Sequence, residues 1–518
     1  MIPLPVFSRH RRLLVLVICS SSLFIVGLDS TIVNIALPSI GRDLHASVAG
    51  LQWTVDGYAL VLASLLMLSG ATADRVGRRR VFQTGLATFT AGSALCSLAP
   101  SLGWLVAFRM MQAVGGSMLN PVAMSIITNT FTDRTERARA IGVWSATYGL
   151  SMSLGPVVGG LLVDSIGWRG TFYVNIPVGL AAIALTARFV PESRAPRPRR
   201  PDPAGQALII VMLGSLTDAL IEGPARGWHA PVIVALFAVS AAALGTFVAY
   251  EARRAEPVLD PRFFRSAPLA GAVLTAISAT AAVGGFLFLA TLYLQDVRGV
   301  SALHAGLTLL PMPAAMACCA PLAGRMVARR GPRIPLVIAG SALTIASAAL
   351  SQATATTSLW YLVAAYALFG VGTGMVSSPI TNGVMAGVPK SQAGMASGLN
   401  SANRMLGQSL GVAVVGSVLA VSMHGAQLAG PGRTGFIHAA HGGWWILTGC
   451  GYAVLVLGLV CNSRWAARTA DRVAMAPPAA GPDVRVSPAP APARVSPASS
   501  TAPARVSPAS STAPRVRG

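Results

Sequence analysis

The sequence predicts an all-α membrane protein of fourteen spans, built as two six-helix pseudo-symmetric bundles with two further helices inserted between them. Three observations predict it. Of 518 residues, 53% are hydrophobic and 11% charged, with a mean hydropathy of +0.62, whereas a soluble protein carries about a quarter charged residues. The apolar residues fall in blocks of about 20, the helix length that crosses a bilayer. Arginine clusters then recur between every second pair of blocks. Backbone groups in lipid must be satisfied internally, so the blocks are helices, and the alternating pattern of a membrane barrel is absent.

The first block, at 13–37, follows Arg9, Arg11 and Arg12. It is too long for a signal-peptide core and no small-residue cleavage site follows, so it is expected to stay in place as a span. Spans two to six fall at 49–69, 81–100, 102–127, 138–163 and 171–189. A proline- and arginine-rich linker, 191–203, precedes spans seven and eight at 204–221 and 230–250. The last six fall at 268–294, 302–327, 334–351, 359–383, 394–422 and 444–461. The chain therefore divides into a first bundle at 1–190, the linker and inserted pair at 191–267, a second bundle at 268–465 and a tail at 466–518. The tail is rich in Pro, Ala and Ser, cannot bury a core and is expected to be disordered.

Charge sets the orientation. On the side of the amino terminus the loops hold 24 Arg and Lys residues before the tail, against 5 on the other side. Both termini are therefore expected in the cytoplasm, with the chain multi-pass in the inner (cytoplasmic) membrane. The net charge of +22 is spread over these loops, and Lys390 is the only lysine, so no nucleic-acid partner is expected. Trp53, Trp104, Trp168, Trp228 and Trp444 fall near outer span ends, as an aromatic belt does. Cys19, Cys96, Cys318, Cys319, Cys450 and Cys461 lie in apolar runs without metal-site spacing and are expected to be free, buried thiols.

The turn between spans two and three reads Gly70-Ala-Thr-Ala-Asp74-Arg75-Val-Gly77-Arg78-Arg79-Arg80. Its arginines cannot enter hydrocarbon and pin it to one membrane face. It is echoed at the same spacing by Gly324, Arg329, Gly331 and Arg333, with Ala328 where Asp74 stands. Ala140 with Gly142, and Gly155 with Gly160, are echoed by Ala396 with Gly398 and Gly411 with Gly416. The two halves are thus an internal repeat, a transporter architecture.

Ionisable groups inside spans are costly and mark function. Asp29 lies roughly 24 Å along span one at about 1.5 Å per residue. Asp56 enters about two turns down span two, and Arg109 to a similar depth on span four. Three groups from three helices at one level suggest a proton relay; a structural ion pair is the plainer reading of each alone. In span five, Gly149, Gly155, Pro156, Gly159 and Gly160 allow close helix approach and a bend. Asn34, Gln112, Gln295, Asn400 and Arg404 are candidate polar anchors of a substrate cavity. Asp218 and Glu222, four apart on span seven, are expected to face outer water. No metal, cofactor, hydrolase or ATPase motif appears, so the chain does not read as an enzyme and its energy source is expected to be an ion gradient.

Taken together these motifs resemble the fourteen-span drug:proton antiporters of the major facilitator superfamily. The Gly70–Arg80 turn is similar to the superfamily's loop signature. Residues 28–38 resemble the first-span motif, Arg109, Gln112 and Gly115 the fourth-span proton-transfer motif, and 149–160 the fifth-span antiporter motif. The resemblance covers about residues 10–465 and extends to Trp168, Arg169, Asn175, Pro177, Gln295, Gly306 and Pro311. It implies rocker-switch alternating access about a central site, with Asp74 latching against span thirteen and the turn's arginines steadying it. The function it implies is proton-coupled export of hydrophobic small molecules, drug or antibiotic, by a monomer in the bilayer. A metabolite symporter would want more polar anchors in the second half, and a membrane sensor or scaffold a soluble output domain.

Overall fold

The computed structural model describes residues 8–194, 202–254, 266–386, 393–422 and 433–461, with Ala466 and Thr469. Lys390, the linker arginines Arg197, Arg199 and Arg200, and nearly all of the tail at 466–518 lie outside the described residues. Every regular element among them is helical. The first half holds α1 (Arg9–Asp43), α2 (Val48–Val76), α3 (Arg78–Ser97), α4 (Leu102–Thr130), α5 (Arg134–Ile166), and α6 (Gly170–Tyr173) continued by α7 (Asn175–Phe189). The inserted pair is α8 (Pro203–Arg226) and α9 (Pro231–Glu251). The second half opens with α10 (Ala267–Leu292), which ends in a π turn, Tyr293–Val297. It goes on through α11 (Ala302–Leu309) with α12 (Pro311–Arg330), α13 (Arg333–Leu350), α14 (Leu359–Ala386), α15 (Ala393–Ser422) and α16 (Arg433–Val460).

With α6–α7 and α11–α12 each counted as one, fourteen spans result. Twelve are long and apolar enough to cross a membrane by length and composition; α3 and α4 fall short. These two pack closely on one another instead. A Cβ on Gly92 would lie 2.7 Å from Gln112 Cα, and one on Gly85 3.0 Å from the Gly115 carbonyl oxygen. Small residues let the backbones approach, which leaves room for the polar side chains this pair carries.

The same pairings recur in both halves. α1 packs on α4, α5 and α7 as α10 packs on α14, α15 and α16. α3 meets α4 and α7 as α13 meets α14 and α16, and α2–α4 matches α12–α14. The halves meet along two seams, α2 against α15 and α5 against α11. The inserted α8 packs on α9 and also on both walls of the first seam, α2 and α15. Gln206 donates from α8 to the Ser64 carbonyl of α2, and Ser417 of α15 donates to the Leu220 carbonyl of α8.

Fourteen spans return the chain to the side on which it starts, the near side; the α1–α2 turn lies on the far side. The halves are joined at the far side. One apolar core runs from Leu28, Ile32 and Ile35 of α1 into Phe286, Leu289 and Leu292 of α10. A separate core fills the near-side part of the first half, around Ile18, Phe82, Phe89 and Ile126. Trp104 and Trp228 are exposed at span ends, but Trp444 is buried against Phe286, with ring centroids 6.1 Å apart, and is a core residue. Trp168 is likewise buried and donates to Asp43 at 2.8 Å. All six cysteines are free; Cys318 is exposed, against the expectation of burial, because its face of α12 has no covering helix.

Candidate functional site

The interior of the first half is built around Asp29, which is wholly buried. Arg109 Nη1 of α4 donates to its Oδ2 at 2.5 Å. Its Oδ1 accepts from Gln112 Nε2 and from Asn175 Nδ2, both at 2.9 Å. Arg109 also donates to Gln112 Oε1 at 2.6 Å and through Nε to the Thr54 carbonyl at 3.3 Å. Gln112 Nε2 reaches Ser93 Oγ of α3 at 2.7 Å. The Arg109 guanidinium carbon stands 4.1 Å from the centroid of the Tyr58 ring, a cation–π contact. Five spans thus converge on one ion pair. Such a pair is tolerable in a dry interior only because the charges cancel and the remaining donors and lone pairs are met.

Asp56 does not join this network. It is fully buried, and neither carboxylate oxygen has a hydrogen-bond partner. Its side chain turns to the α2–α15 seam, where the Ser409 hydroxyl approaches it outside hydrogen-bond geometry. One turn toward the far side on the same face of α2, Gln52 Nε2 donates across the seam to the Ala413 carbonyl at 2.8 Å.

The polar residues expected in a substrate cavity divide. Gln112 belongs to the Asp29 network. Gln295 donates across the halves to the Ile35 carbonyl at 2.8 Å, and Asn34 to the Ser30 carbonyl of its own helix at 3.2 Å. Arg404 of α15 stands over the Tyr148 ring of α5 at 5.4 Å, and Asn400 Oδ1 is buried without a partner.

Of the glycines in α5, Gly155 and Gly159 seat the helix on α1. A Cβ on Gly155 would overlap Thr31 Oγ1, and one on Gly159 would lie 2.8 Å from Ile32 Cγ1. Gly160 instead seats α5 on the other half, 2.5 Å from the Ala302 carbonyl oxygen by the same measure. A Cβ on Gly306 of α11 would in turn overlap the Pro156 carbonyl. Gly149 has open space around it. Next to this crossing, Asp164 accepts the Ala302 and Leu303 amides at 3.2 and 2.9 Å.

At the near side, Asp74 accepts from Arg78 of its own turn, at 2.8 Å from Nη2 and 3.1 Å from Nε. The first side chains of α15, where a latch is expected, lie outside the described residues. Gly70 makes ordinary contact with Pro121, and Arg75 is exposed. Gly77 has φ +130°, which an L side chain rarely adopts. The turn is held by the chain after α7. Glu192 Oε1 accepts the Arg79 amide at 3.1 Å, and the Arg78 amide donates to the Ser193 carbonyl at 2.9 Å. Glu192, Asp164, Tyr58 and Ser93 escaped the sequence reading. Glu192 alone had a signal there, as an acid set among arginines.

Comparison with known proteins bears on the whole arrangement. The Major Facilitator Superfamily profile matches residues 19–412. The multidrug resistance protein Stp of Mycobacterium tuberculosis is 39% identical over 412 residues, 80% of this chain and 76% of that one. The tetracenomycin C resistance and export protein of Streptomyces glaucescens is 38% identical over 76% of this chain and 73% of its own. The methylenomycin A resistance protein of Streptomyces coelicolor is 35% identical, over 78% and 85%. Among solved structures, a bacterial homologue of the human lysosomal transporter Spinster, inward-facing and occupied, superposes with TM-score 0.62 at 19% identity, over 90% of this chain and 98% of that one. That likeness is one of fold. The chain belongs to the Major Facilitator Superfamily and is a membrane transporter.

Proposed function

We propose that this transporter exports hydrophobic small molecules of the drug or antibiotic class across the cytoplasmic membrane in exchange for protons. The bundles, 1–190 and 268–465, would rock about a central site, with 191–267 spanning between them. The observation that carries the reading is a pair of carboxyls shut away from water, Asp29 against Arg109 and Asp56 at the seam. Buried acids in a membrane protein are costly and belong to ion pathways. The resistance and export named for its relatives supports the direction of transport.

The excess of basic residues on the near side supports a cytoplasmic near side. The bundles being joined on the far side then corresponds to an inward-open state. Both halves of the site lie in one chain, which supports a monomer. One charge falling through 100 mV releases about 2.3 kcal/mol, enough for a gradient of roughly 40-fold per proton.

The test is a resistance and accumulation screen over diverse toxic compounds, in cells with and without the chain. Inverted vesicles are then given the compounds that score. Lower accumulation, abolished by an uncoupler, and proton release on adding compound are expected. Accumulation that is unchanged, or that ignores the uncoupler, sinks the reading.

A further inference from the structure

Residues that the internal repeat makes equivalent differ by 256 in number, as Gly155 and Gly411 do. Tyr148 of α5 and Arg404 of α15 are such a pair, and so are Trp144 and Asn400, one turn closer to the near side. Two groups related by a pseudo-twofold can meet only where its axis passes. The Arg404 guanidinium carbon lies 5.4 Å from the centroid of the Tyr148 ring, so their contact marks the axis, midway between the bundles. The faces of α15 agree. Gly407 and Gly411 seat it on α10, Gly416 on Gln52 of α2, and Ser417 on the Leu220 carbonyl of α8. At about 100° per residue, Arg404 falls on the arc between the α10 and α2 faces, away from α8. Opposite it, the Tyr148 ring rests on α1 at Gly27, where a Cβ would lie 3.0 Å from Cδ2.

The polar groups at this centre are unbalanced. Among the described residues Arg404 pairs with no carboxylate. Asp29 is committed to Arg109. Asp56 faces Ser409, which stands five residues on from Arg404 and about 140° further around α15. Trp144 Nε1 is a buried donor without an acceptor, and Asn400 Oδ1 a buried acceptor without a donor. A cation in a membrane interior is costly without a counter-charge, and unmet donors and acceptors add to the cost. A ligand that brings the missing groups relieves all three.

Resting on the export reading above, we infer that this axial cluster is the cargo site and that it takes flat aromatic anions, carboxylates or ionised phenols. The aromatic body lies against Tyr148 and Trp144, and its anionic oxygens accept from the Arg404 guanidinium. Further oxygens or hydroxyls of the ligand meet Trp144 Nε1 and Asn400 Oδ1. A lipophilic cation of the same shape is turned away, because it meets Arg404 with no acid to offset the like charge.

Fluorescein and rhodamine 123 share a xanthene frame and differ in charge, the first an anion and the second a cation. Their binding to full-length protein in nanodiscs of uncharged lipid is followed by fluorescence polarisation, with empty nanodiscs as the blank. The wild type should bind fluorescein at least roughly tenfold tighter than rhodamine 123, as a hydrogen bond to a charged group is worth. Arg404→Gln should lose that margin and leave rhodamine 123 no weaker. Arg404→Lys should keep the preference for the anion while binding it less tightly, which also decides the matter if Arg404→Gln does not fold. Trp144→Phe should weaken fluorescein alone. Rhodamine 123 bound as tightly as fluorescein, no saturable binding of fluorescein, or a preference that survives Arg404→Gln overturns the inference. Binding needs neither a gradient nor transport. Anion binding that depends on Arg404, in a protein whose vesicles release no protons, would remove the export reading and leave the site. Proton-coupled export of cations alone would remove the site and leave the export reading.

Discussion

The Asp164 carboxylate of α5 accepts the amide of Leu303 at 2.9 Å, so an acid of the first bundle caps the opening helix of the second span of the other. Its second oxygen takes the Ala302 amide at 3.2 Å. These are two of the amides that a helix leaves unpaired at its start, where its dipole also favours negative charge. The far side cannot open without breaking both.

Asp164→Ala therefore weakens the far-side closure by about 1 kcal/mol, the usual worth of a capping side chain. That shifts the balance of closed and open forms roughly fivefold. Ile35, buried beneath this closure, reports it. In an Ile35→Cys background, labelling by an impermeant maleimide should speed up about fivefold on adding Asp164→Ala. An unchanged rate counts against the latch.

The Asp29–Arg109 pair is a matter of mutual compensation. Asp29→Asn leaves Arg109 charged and buried, a loss of about 3–5 kcal/mol of stability, and Arg109→Gln leaves Asp29 likewise. The double substitution should cost much less than the two singles added together. Thermal midpoints in detergent for the four proteins decide it. Additive losses would mean that the two charges do not depend on one another.

The glycines of α5 are not equivalent. Gly155→Ala places a methyl on Thr31 Oγ1 and pushes α5 off α1, whereas Gly149→Ala meets open space. Overpacking of this kind costs about 1–3 kcal/mol. Thermal stability and efflux should both fall for Gly155→Ala and stay level for Gly149→Ala. Thr31→Ala removes the overlapping oxygen and should recover part of the loss; no recovery would place the defect elsewhere.

Much of this molecule is legible in its sequence because lipid is an exacting solvent. Runs of apolar residues mark the spans, and Asp29 and Arg109 stand out because a charge in hydrocarbon needs a reason. Depth along a span, however, says nothing about direction around it. Asp56 and Arg109 share a level, and Arg109 does reach α2, but at the Thr54 carbonyl. Asp56 lies two residues on, about 200° further around the helix, and so turns to α15. Partners from distant segments were equally hidden. Ser93 and Asp164 become informative only when tertiary packing brings them to their partners, and Asn175, which the family resemblance marks, gains its contact with Asp29 only there. Trp444 lies well inside α16 and not at its end, and so faces a core, while Gln295 spans the two bundles to the Ile35 carbonyl.

The near-side turn shows how a backbone strain can be told from a steric one. Gly77 joins α2 to α3 at φ +130°, and a Cβ there would also lie 2.7 Å from the Glu192 carboxylate. Gly77→Ala faces both penalties. The torsional part is of order 1–3 kcal/mol for a residue forced into a sparsely populated region. Glu192→Ala removes the steric part, but it also frees the Arg79 and Ser193 amides that Glu192 Oε1 accepts at 3.1 and 3.0 Å. The turn is then expected to loosen. Amide hydrogen exchange over residues 77–80 should rise in Glu192→Ala and rise further in Gly77→Ala. Combining them should recover little of the thermal midpoint lost by Gly77→Ala alone, because the glycine is demanded by the backbone rather than by its neighbour. Full recovery in the double variant would mean that crowding by Glu192, and not the dihedral angle, is what keeps a glycine at this turn.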